Sequence, residues 1–304
     1  MYIFIVNPIA GNGRGSKLYN KVIADPRFKN LNYKVYFTEY TGHAEQLTKN
    51  IIAANSNNIK KHWVIFGGDG TLHEVINGIG IYTIKLSYAC GGSGNDIARG
   101  ASLPFRYNDM IEHIFLNPSS QRYWLGSYGD RNFLNCVGFG FDAIVAEKTN
   151  QSIWKNRLNK IKLGKVVYVI QIIKQLFVYK PIDLTVTIDG ETYEFSNCFL
   201  STINNHPYFG GGMKINPFAY NNAKKYHCIV VDNIPKWKVL LLFGTVFFGK
   251  HTKFKEVTFL EGSNITMKSK QQITLQVDGE TVKAKDCKIH AKRYFIDLIG
   301  MESN

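Results

Sequence analysis

Three glycine-rich loops limit what the first part of this chain can fold into. They read NPIAGNGRG, GGDGT and GGSGND, and they occupy Asn7–Gly15, Gly67–Thr71 and Gly91–Asp96. Each loop follows a short apolar run and precedes a segment with helical periodicity, so each marks a turn from a strand into a helix. Strands that alternate with helices form a parallel sheet with crossover helices. We therefore predict an α/β domain with all three loops at the carboxyl edge of its sheet.

The apolar runs and the helical periodicity also give the bounds of the predicted elements. The sequence TLHE predicts a capping box, in which Thr71 and Glu74 would satisfy backbone N–H groups at the start of a helix. Helices are predicted to begin near Ser16, Ala44, Thr71 and Asp96. The predicted strands are Tyr2–Val6, Tyr33–Phe37, His62–Phe66 and Lys85–Ala89.

From about Tyr123 the pattern changes to short strands without regular crossovers, which is typical of an antiparallel β-sandwich. The sequence thus predicts an α/β domain over residues 1–123 and a β-sandwich domain over residues 124–293. Helices are predicted at Trp154–Val178 and Lys236–Phe248. The predicted strands are Tyr123–Ser127, Asn132–Val137, Asp183–Ile188, Tyr193–Thr202, Tyr226–Val231, Glu256–Phe259, Ile273–Val277 and Thr281–Lys283.

Two segments of this second domain contain the same turn sequence. TIDGETYEF at Thr187–Phe195 and QVDGETVKA at Gln276–Ala284 each place Asp-Gly between two strand-like runs. A type I′ turn needs positive φ at both central residues, and Asp-Gly supplies it. Both segments are therefore predicted to be tight β-hairpins.

The three glycine-rich loops are suited to binding phosphate. Glycine lets the backbone approach a phosphate closely, and the amide groups at a helix start attract its charge. The loops lack both the Walker A pattern and the acidic residue of a dinucleotide site, which disfavours hydride transfer. Asp69 and Asp96 would repel a polyphosphate unless a cation lay between them, and Mg²⁺ binds one or two carboxylates together with phosphate oxygens. The loops predict a nucleotide site with these two acids as metal ligands, although Asp96 could instead cap its own helix.

The charge of the chain favours an anionic partner. Lysine and arginine number 37 against 23 acidic residues, a net charge of +14. Residues 151–180 and 233–255 combine basic with large apolar side chains and contain no acid. This composition suits an anionic membrane surface, and the alternative is a solvated basic face on ordinary helices. Nucleic-acid binding is disfavoured because no nucleic-acid module is recognisable.

The five cysteines are far apart and form no CxxC motif. Their spacing supports neither a zinc site nor a disulfide framework, and it fits reduced thiols in the cytosol. We expect a cytoplasmic protein that associates peripherally with the inner face of the membrane.

Four motifs in this order resemble the diacylglycerol-kinase catalytic family, which includes soluble bacterial lipid kinases. They are GGDGTLHEVING, GGSGNDIARG, FLNCVGFGFDA at Phe133–Ala143 and VDGE at Val277–Glu280. The resemblance implies an N-terminal α/β nucleotide domain, like that of NAD kinases and diacylglycerol kinases, and a C-terminal β-sandwich. It also implies that the last strand, Tyr294–Ile299 within residues 294–304, returns to the first domain.

The resemblance further implies ATP and Mg²⁺ as cofactors and a membrane lipid such as diacylglycerol as substrate, and it leaves a homodimer open. Glu280 is expected to be the general base for the lipid hydroxyl, with Asp278 holding the turn. Asp69 belongs to the catalytic set and, with Asp96, to the metal ligands. The residues expected near ATP are Asn7, Gly11, Asn12, Gly13, Gly15, Thr41, Gly67, Gly68, Asp69, Gly70, Thr71, Ser93 and Asn95.

Two positions depart from the pattern of the soluble bacterial kinases. Trp124, in RYWLG, stands where those kinases tend to carry an aspartate of the metal network. Ala223-Lys224 stand where they tend to carry Asp-Gly around a structural Mg²⁺. Two other functions stay open, and the departures bear only on the second of them. One is a NAD kinase, which also carries GGDGT, and the other is a nucleotide- or lipid-binding regulator without turnover.

Overall fold

The computed structural model describes residues 1–150, 172–290 and 294–300. These residues form two compact units, one of residues 1–125 and 294–300 and the other of the described residues from 126 to 290. Most of the predicted helix Trp154–Val178, with Lys155, Arg157, Lys160 and Lys162, lies outside the described residues. Its end is described, and residues 172–178 are helical.

The first unit is built on a mainly parallel sheet. The strand order is β2-β1-β3-β4-β15-β5, and only the edge strand β5 is antiparallel to its neighbour among the described strands. Strand β3 is buried nearly throughout, as expected for a parallel sheet covered on both faces. The strands are β1 Tyr2–Val6, β2 Tyr33–Phe37, β3 His62–Gly67, β4 Lys85–Cys90, β5 Ser120–Trp124 and β15 Phe295–Ile299.

The helices of the first unit follow its strands. Short 3₁₀ helices occupy Pro26–Phe28 and Ser56–Lys60, and a π-helical turn occupies Glu112–Leu116. The helices are α1 Ala10–Ala24, α2 His43–Ala54, α3 Asp69–Ile79, α4 Asp96–Gly100 and α5 Tyr107–Ile111.

The last strand, β15, is inserted between β4 and β5. Its residues pair with β4 in parallel and with β5 in antiparallel register, with Phe295 opposite Trp124. The Trp124 ring packs on Phe295 at 5.0 Å between centroids, and the Arg122 guanidinium lies 4.9 Å from the Phe295 ring. Trp124 therefore serves as a packing residue of the sheet.

The second unit is an antiparallel β-sandwich. Its strand order is β12-β11-β10-β8-β13-β14-β6-β7, and β9 pairs with both β10 and β13. Register shifts in β10 and β13 let each of these long strands pair with β8 at one end and β9 at the other. The strands are β6 Gly126–Tyr128, β7 Arg131–Phe133, β8 Cys136–Gly140, β9 Ile182–Ile188, β10 Glu191–Asn204, β11 Tyr226–Asp232, β12 Val257–Gly262, β13 Ile265–Val277 and β14 Glu280–Ile289.

Alternation of side chains builds the core of the second unit. In β9 every second residue is buried, and these residues join a core with Phe139 and Leu275. The helices are α6 Phe141–Asn150, α7 at 172–178 and α8 Lys236–Leu242, followed by 3₁₀ helices at Phe243–Phe248 and Lys250–Lys253. Across the described residues, no helix has the length and apolar character that a membrane crossing requires.

The predicted fold class is confirmed, but several predicted strands are wrong in their bounds. Ile273–Val277 and Thr281–Lys283 are only parts of the longer strands β13 and β14. Two other predicted strands are divided. Tyr123–Ser127 divides between β5 and β6, which lie in different sheets. Asn132–Val137 divides between β7 and β8, because the chain bends between them. The periodicity of a strand does not show to which sheet it belongs, so the division between β5 and β6 could not be read from the sequence.

Candidate functional site

The three glycine-rich loops contact one another through their backbones. Gly91 N donates a hydrogen bond to Gly67 O over 2.7 Å. A Cβ atom on Gly91 would lie 2.9 Å from Gly15 N, and one on Gly92 would lie 2.8 Å from Gly68 Cα. A side chain at these places would force backbone apart, so glycine is required there for packing.

The first loop turns left-handed before helix α1 becomes regular. Gly11, Asn12 and Gly13 have φ of 56°, 62° and 83°. A Cβ atom on Gly11 would lie only 1.8 Å from Gly91 O, so the first loop also lies directly on the third. The predicted start near Ser16 corresponds to the regular part of α1, and the structure adds the turn before it.

Side chains tie the first two loops together. Asn7 Nδ2 donates to Thr71 Oγ1 over 2.9 Å, and Asn7 Oδ1 accepts from Ile9 N. Thr71 is buried at the third position of α3, whereas the cap position of that helix is Gly68. The hydroxyl of Thr71 is therefore used between loops.

The predicted capping box of Thr71 and Glu74 is wrong, because α3 begins earlier than its sequence suggests. The Glu74 carboxylate instead accepts from Gly42 N over 2.9 Å and from Ala44 N over 3.0 Å. These bonds hold the start of α2, which begins two residues after Thr41. Glu74 thus ties the Thr41 loop to the helix of the second loop, a role that sequence reasoning missed.

Asp69 is held by groups of the third loop and of β4. Its Oδ2 accepts from Asp96 N over 3.2 Å, and its Oδ1 accepts from Tyr88 OH over 3.3 Å. The cap position of α4 is Asn95, so Asp96 lies in the first turn of the helix, where its Oδ1 is 3.2 Å from Arg99 Nη1. The Asp96 side chain therefore pairs with Arg99, and the alternative in which it caps its own helix is not observed.

The environment of Asp69 disfavours its charge. Burial, and after it the negative charge of Asp96, raise the pKa of Asp69 to about 6. A divalent cation between two such acids would relieve both effects. Among the described residues, no group of three or more His, Cys, Asp or Glu side chains could hold a metal. The pair fits Mg²⁺, which often takes one or two carboxylates and completes its shell with phosphate and water.

The other residues expected near a nucleotide differ in exposure. Gly15, Gly67, Thr71 and Asn95 are buried and fix the shape of the loops, and Asn95 has a φ of 55°. Asn7, Gly11, Gly13, Gly68 and Asp69 are half-buried, whereas Asn12, Thr41, Gly70 and Ser93 are exposed. The structure brings the three loops together and connects the Thr41 loop to them through Glu74.

Both DGE segments of the second unit are hairpins, as predicted. Ile188 pairs with Glu191, and Val277 pairs with Glu280, so each connection contains only Asp-Gly. The φ angles are 48° and 101° in the first turn and 49° and 93° in the second. These positive values are those expected of type I′ turns.

The aspartates of the two turns have the same structural task. The Asp278 carboxylate accepts from the backbone N–H groups of Leu134, Asn135 and Cys136 over 2.7, 2.8 and 3.1 Å. It holds the bend between β7 and β8. The Asp189 carboxylate accepts from Ser263 N and Asn264 N, and these bonds lower its pKa.

The two turns differ in what lies behind them. Buried Gln276 accepts from Gly279 N over 2.8 Å through its Oε1 and donates to Asp142 Oδ2 over 3.3 Å. At the matching position of the first hairpin, Thr187 instead contacts Thr192 across the strands. Sequence reasoning missed Gln276. A polar residue within the buried stretch of β13 is the signal that could have revealed it.

Glu280 and Glu191 occupy equivalent exposed positions. Each is the first residue of the strand after its turn, and Glu191 Oε2 accepts from Tyr193 OH over 2.8 Å. Glu280 therefore combines exposure with a turn that both Asp278 and Gln276 fix in place.

The loop at Ala223-Lys224 is closed by hydrogen bonds within the protein. Asn222 Oδ1 accepts from Lys224 N and Lys225 N, and Lys224 O accepts from Ser263 Oγ. Lys225 pairs with Glu261 at 2.6 Å. This loop therefore carries lysines where the resemblance to the soluble bacterial kinases led us to expect an acidic residue.

Two family models together match most of the chain. The model described as "Diacylglycerol kinase catalytic domain" matches residues 1–126. The model described as "YegS C-terminal NAD kinase beta sandwich-like domain" matches residues 135–295.

Similar proteins match along nearly their whole length. "Putative lipid kinase YtlR" of Bacillus subtilis (strain 168) is 32% identical over 289 residues, which is 92% of this chain and 93% of that protein. A "Diacylglycerol kinase" of Mycobacterium tuberculosis (strain ATCC 25618 / H37Rv) is 24% identical over 281 residues, or 91% of this chain and 87% of that protein. A solved diacylglycerol kinase structure from Bacillus anthracis str. Sterne shares the fold, with a TM-score of 0.71 and 17% identity over 97% of this chain and 96% of that one.

The raised pKa of Asp69 predicts that neutralising this side chain will stabilise the folded protein. Since the folded-state pKa of about 6 lies above the usual value of 3.8, the native state loses stability as the pH rises from about 3.8 to about 6, and the full loss is present above pH 6. Asp69→Asn removes the charge and keeps the size of the side chain. At 1.36 kcal/mol per pKa unit, we expect a gain of roughly 1–3 kcal/mol near pH 7.5, seen as a melting temperature a few degrees higher.

The gain should shrink as the pH falls towards about 5, because Asp69 of the wild type then takes up a proton. Calorimetric melting at both pH values measures the change. Glu39→Gln, which neutralises an exposed acid of the same unit, is the control and should leave the melting temperature unchanged. An Asp69→Asn variant that melts no higher than the wild type near pH 7.5 would contradict this view of the site.

Proposed function

Because the chain belongs to the diacylglycerol kinase catalytic domain family, we propose that it is an ATP-dependent kinase that phosphorylates a hydroxyl group of a membrane lipid. The observation that carries the proposal is the mutual contact of three glycine-rich loops beside Asp69, which is half-buried, and Asp96, whose backbone amide donates to the Asp69 carboxylate. Such an edge offers backbone amides to phosphate and carboxylates to a metal.

The loops would hold the phosphates of ATP. Gly68 and Asp69 lie at the start of α3, where amide groups point out of the helix and attract negative charge. Asn7 and Thr71 keep the first two loops at a fixed distance, so phosphate would meet a rigid surface. A rigid surface lowers the entropic cost of holding the γ-phosphate in line for transfer.

Asp69 and Asp96 would hold Mg²⁺. When bound, this ion would neutralise negative charge on the γ-phosphate and on the phosphates of the departing ADP. Tyr88 OH and the amide of Asp96 fix the direction of the Asp69 carboxylate. The raised pKa of Asp69 supports this role, because perturbed carboxylates are typical of functional sites.

Glu280 would take the proton from the lipid hydroxyl. As the hydroxyl oxygen bonds to the γ-phosphorus, the bond from that phosphorus to the oxygen of ADP breaks, and the proton passes to the carboxylate. Asp278 and Gln276 would act as positioning residues, since they hold the turn on which Glu280 is mounted.

The substrate would be met at a membrane surface. A net charge of +14 attracts the protein to anionic lipids. The tails of a lipid remain in the bilayer. An enzyme that phosphorylates the hydroxyl group of such a lipid therefore reaches its substrate by adsorbing to the bilayer surface.

An assay with labelled ATP tests the proposal. We expect transfer of phosphate to a lipid from a panel of diacylglycerols, sphingoid bases, glycerophospholipids and polyprenols, with the product identified by mass spectrometry. NAD is offered in parallel and should stay unmodified, and Asp69→Ala should abolish lipid phosphorylation. Phosphorylation of NAD instead would make the protein a NAD kinase, and binding of ATP without turnover on either would make it a regulator.

The two DGE turns provide a matched pair of variants. Glu280→Gln should fold like the wild type and lose at least a hundredfold in turnover, because a positioned base contributes roughly 10²–10⁴-fold to rate. Glu191→Gln makes the same change after the same kind of turn and should lose little. Melting temperatures and initial rates are compared for both. Equal losses, or a larger loss for Glu191→Gln, would remove Glu280 from the mechanism.

A further inference from the structure

Behind the turn that carries Glu280 lies a buried contact between a carboxylate and an amide. Asp142 belongs to the first turn of α6, and Gln276 belongs to β13. Gln276 Nε2 donates to Asp142 Oδ2 over 3.3 Å, and the two residues are only 4% and 5% exposed. A pair of apolar side chains of the same shape would often serve packing equally well, so the polar contact calls for another explanation.

The neighbouring strand leaves room for this contact. Gly138 of β8 pairs with Gln276 in the sheet. A Cβ atom on Gly138 would lie 1.8 Å from Asp142 Oδ2 and 2.7 Å from Gln276 Nε2. Any other residue at position 138 would therefore push into both side chains. In the sequence GFGFDA, the first glycine thus makes space for the aspartate four residues later.

The partners of Gln276 require one orientation of its amide. Gly279 N can only donate, so it needs Oε1, which accepts over 2.8 Å. An ionised carboxylate can only accept, so Asp142 needs the nitrogen of the amide. Nε2 also lies 3.1 Å from Cys136 Sγ, a weak acceptor. Without the Asp142 carboxylate, the amide loses its strongest constraint, and rotation would withdraw Oε1 from Gly279.

Asp142 is a buried acid in largely apolar surroundings. It is among the residues that line an apolar cavity of about 100 Å³. Burial raises the pKa of Asp142 to about 7, and the bond from Gln276 is one of the hydrogen bonds that oppose this rise. A second role, direct contact with a molecule in the cavity, would use the charge of the carboxylate. Holding Gln276 requires only an oxygen that accepts.

We propose that Asp142 is a positioning residue, which orients the Gln276 amide so that Oε1 holds the Gly279 N–H and thereby fixes the turn that carries Glu280. The contacts run from α6 through β13 to the turn, and each of them lies within the second unit. The effect of Asp142 on turnover rests on the proposed function, whereas its hold on the turn does not.

Amide hydrogen exchange at Gly279, followed by NMR without ATP or lipid, tests the hold on the turn. Asp142→Leu replaces the carboxylate with an apolar side chain of similar shape. Exchange at Gly279 should become about fivefold faster or more, because one hydrogen bond is worth roughly 1 kcal/mol. Gly190, at the same position of the first turn, is the internal control and should keep its exchange rate.

A second variant keeps this test decisive if Asp142→Leu does not melt cooperatively. Gln276→Met has a side chain of similar length that forms neither hydrogen bond, so it should accelerate exchange at Gly279 by a similar factor. Thr187→Val changes the matching position of the first hairpin and should leave exchange at Gly279 as it is. Unchanged exchange at Gly279 in the cooperatively melting variants would overturn the proposal.

Steady-state kinetics test the consequence for turnover. Asp142→Leu should lower kcat at least about tenfold and leave the KM for ATP unchanged, because a small displacement of Glu280 slows transfer without altering the loops of the first unit. Its melting temperature should not fall, since the change removes a buried acid from apolar surroundings. A rate loss without a stability loss separates positioning from a purely structural role.

The conservative variant distinguishes the two roles of Asp142. Asp142→Asn keeps an oxygen that can accept from Gln276 Nε2, so it should recover most of the rate that Asp142→Leu loses. An Asp142→Asn variant as slow as Asp142→Leu would overturn the proposal, because the charge itself would then be required. An Asp142→Leu variant with the wild-type kcat would overturn it as well.

The two measurements also separate this proposal from the proposed function. A wild-type protein that phosphorylates no lipid would refute the kinase function, and exchange at Gly279 would still decide whether Asp142 holds the turn. Unchanged exchange at Gly279 in the variants of an active enzyme would refute the role of Asp142 and leave the kinase function standing.

Discussion

The first unit depends on backbone packed directly against backbone at the carboxyl ends of its strands. Gly91 lies on Gly15, and Gly92 lies on Gly68, at distances that leave no room for a Cβ atom. This contact brings the third loop within reach of Asp69, so that the amide of Asp96 can donate to its carboxylate. Burial of Asp69, and after it the nearby negative charge of Asp96, raises the pKa of Asp69 to about 6. The close approach of Asp96 to Asp69 thus depends on glycine at positions where no side chain would fit.

In the second unit, one turn sequence is used twice with different support. Both aspartates hold a neighbouring stretch of backbone, so the aspartate alone does not distinguish the turns. The last turn is in addition held from behind by Gln276, which also reaches Asp142 at the apolar cavity. A carboxylate used in proton transfer must keep its place while substrate binds, and this second support is what the first turn lacks among its described contacts.

The two positions that depart from the pattern of the resembling kinases make structural contacts in this protein. Trp124 packs on Phe295 in the sheet of the first unit, and Lys225 pairs with Glu261 beside the Ala223-Lys224 loop. Trp124 thus has a packing role, and the Ala223-Lys224 loop is fixed by hydrogen bonds within the protein. The carboxylate pair of Asp69 and Asp96 is retained, and the proposed kinase reaction needs these two acids and the glycine-rich loops around them.

The sequence by itself determined the fold class, the first four strands of the parallel sheet, the three loops and both hairpins, because periodicity and glycine-rich turns act over a few neighbouring residues. Only the tertiary structure decided the partners of Thr71 and Glu74 and the bond from Gln276 to Asp142, because each of these contacts joins two different elements. The pairing of Glu74 with Gly42 and Ala44 joins residues about thirty positions apart, and no local pattern specifies such a contact. The apolar cavity is likewise decided by tertiary structure, because its walls come from strands and helices that are adjacent only after folding.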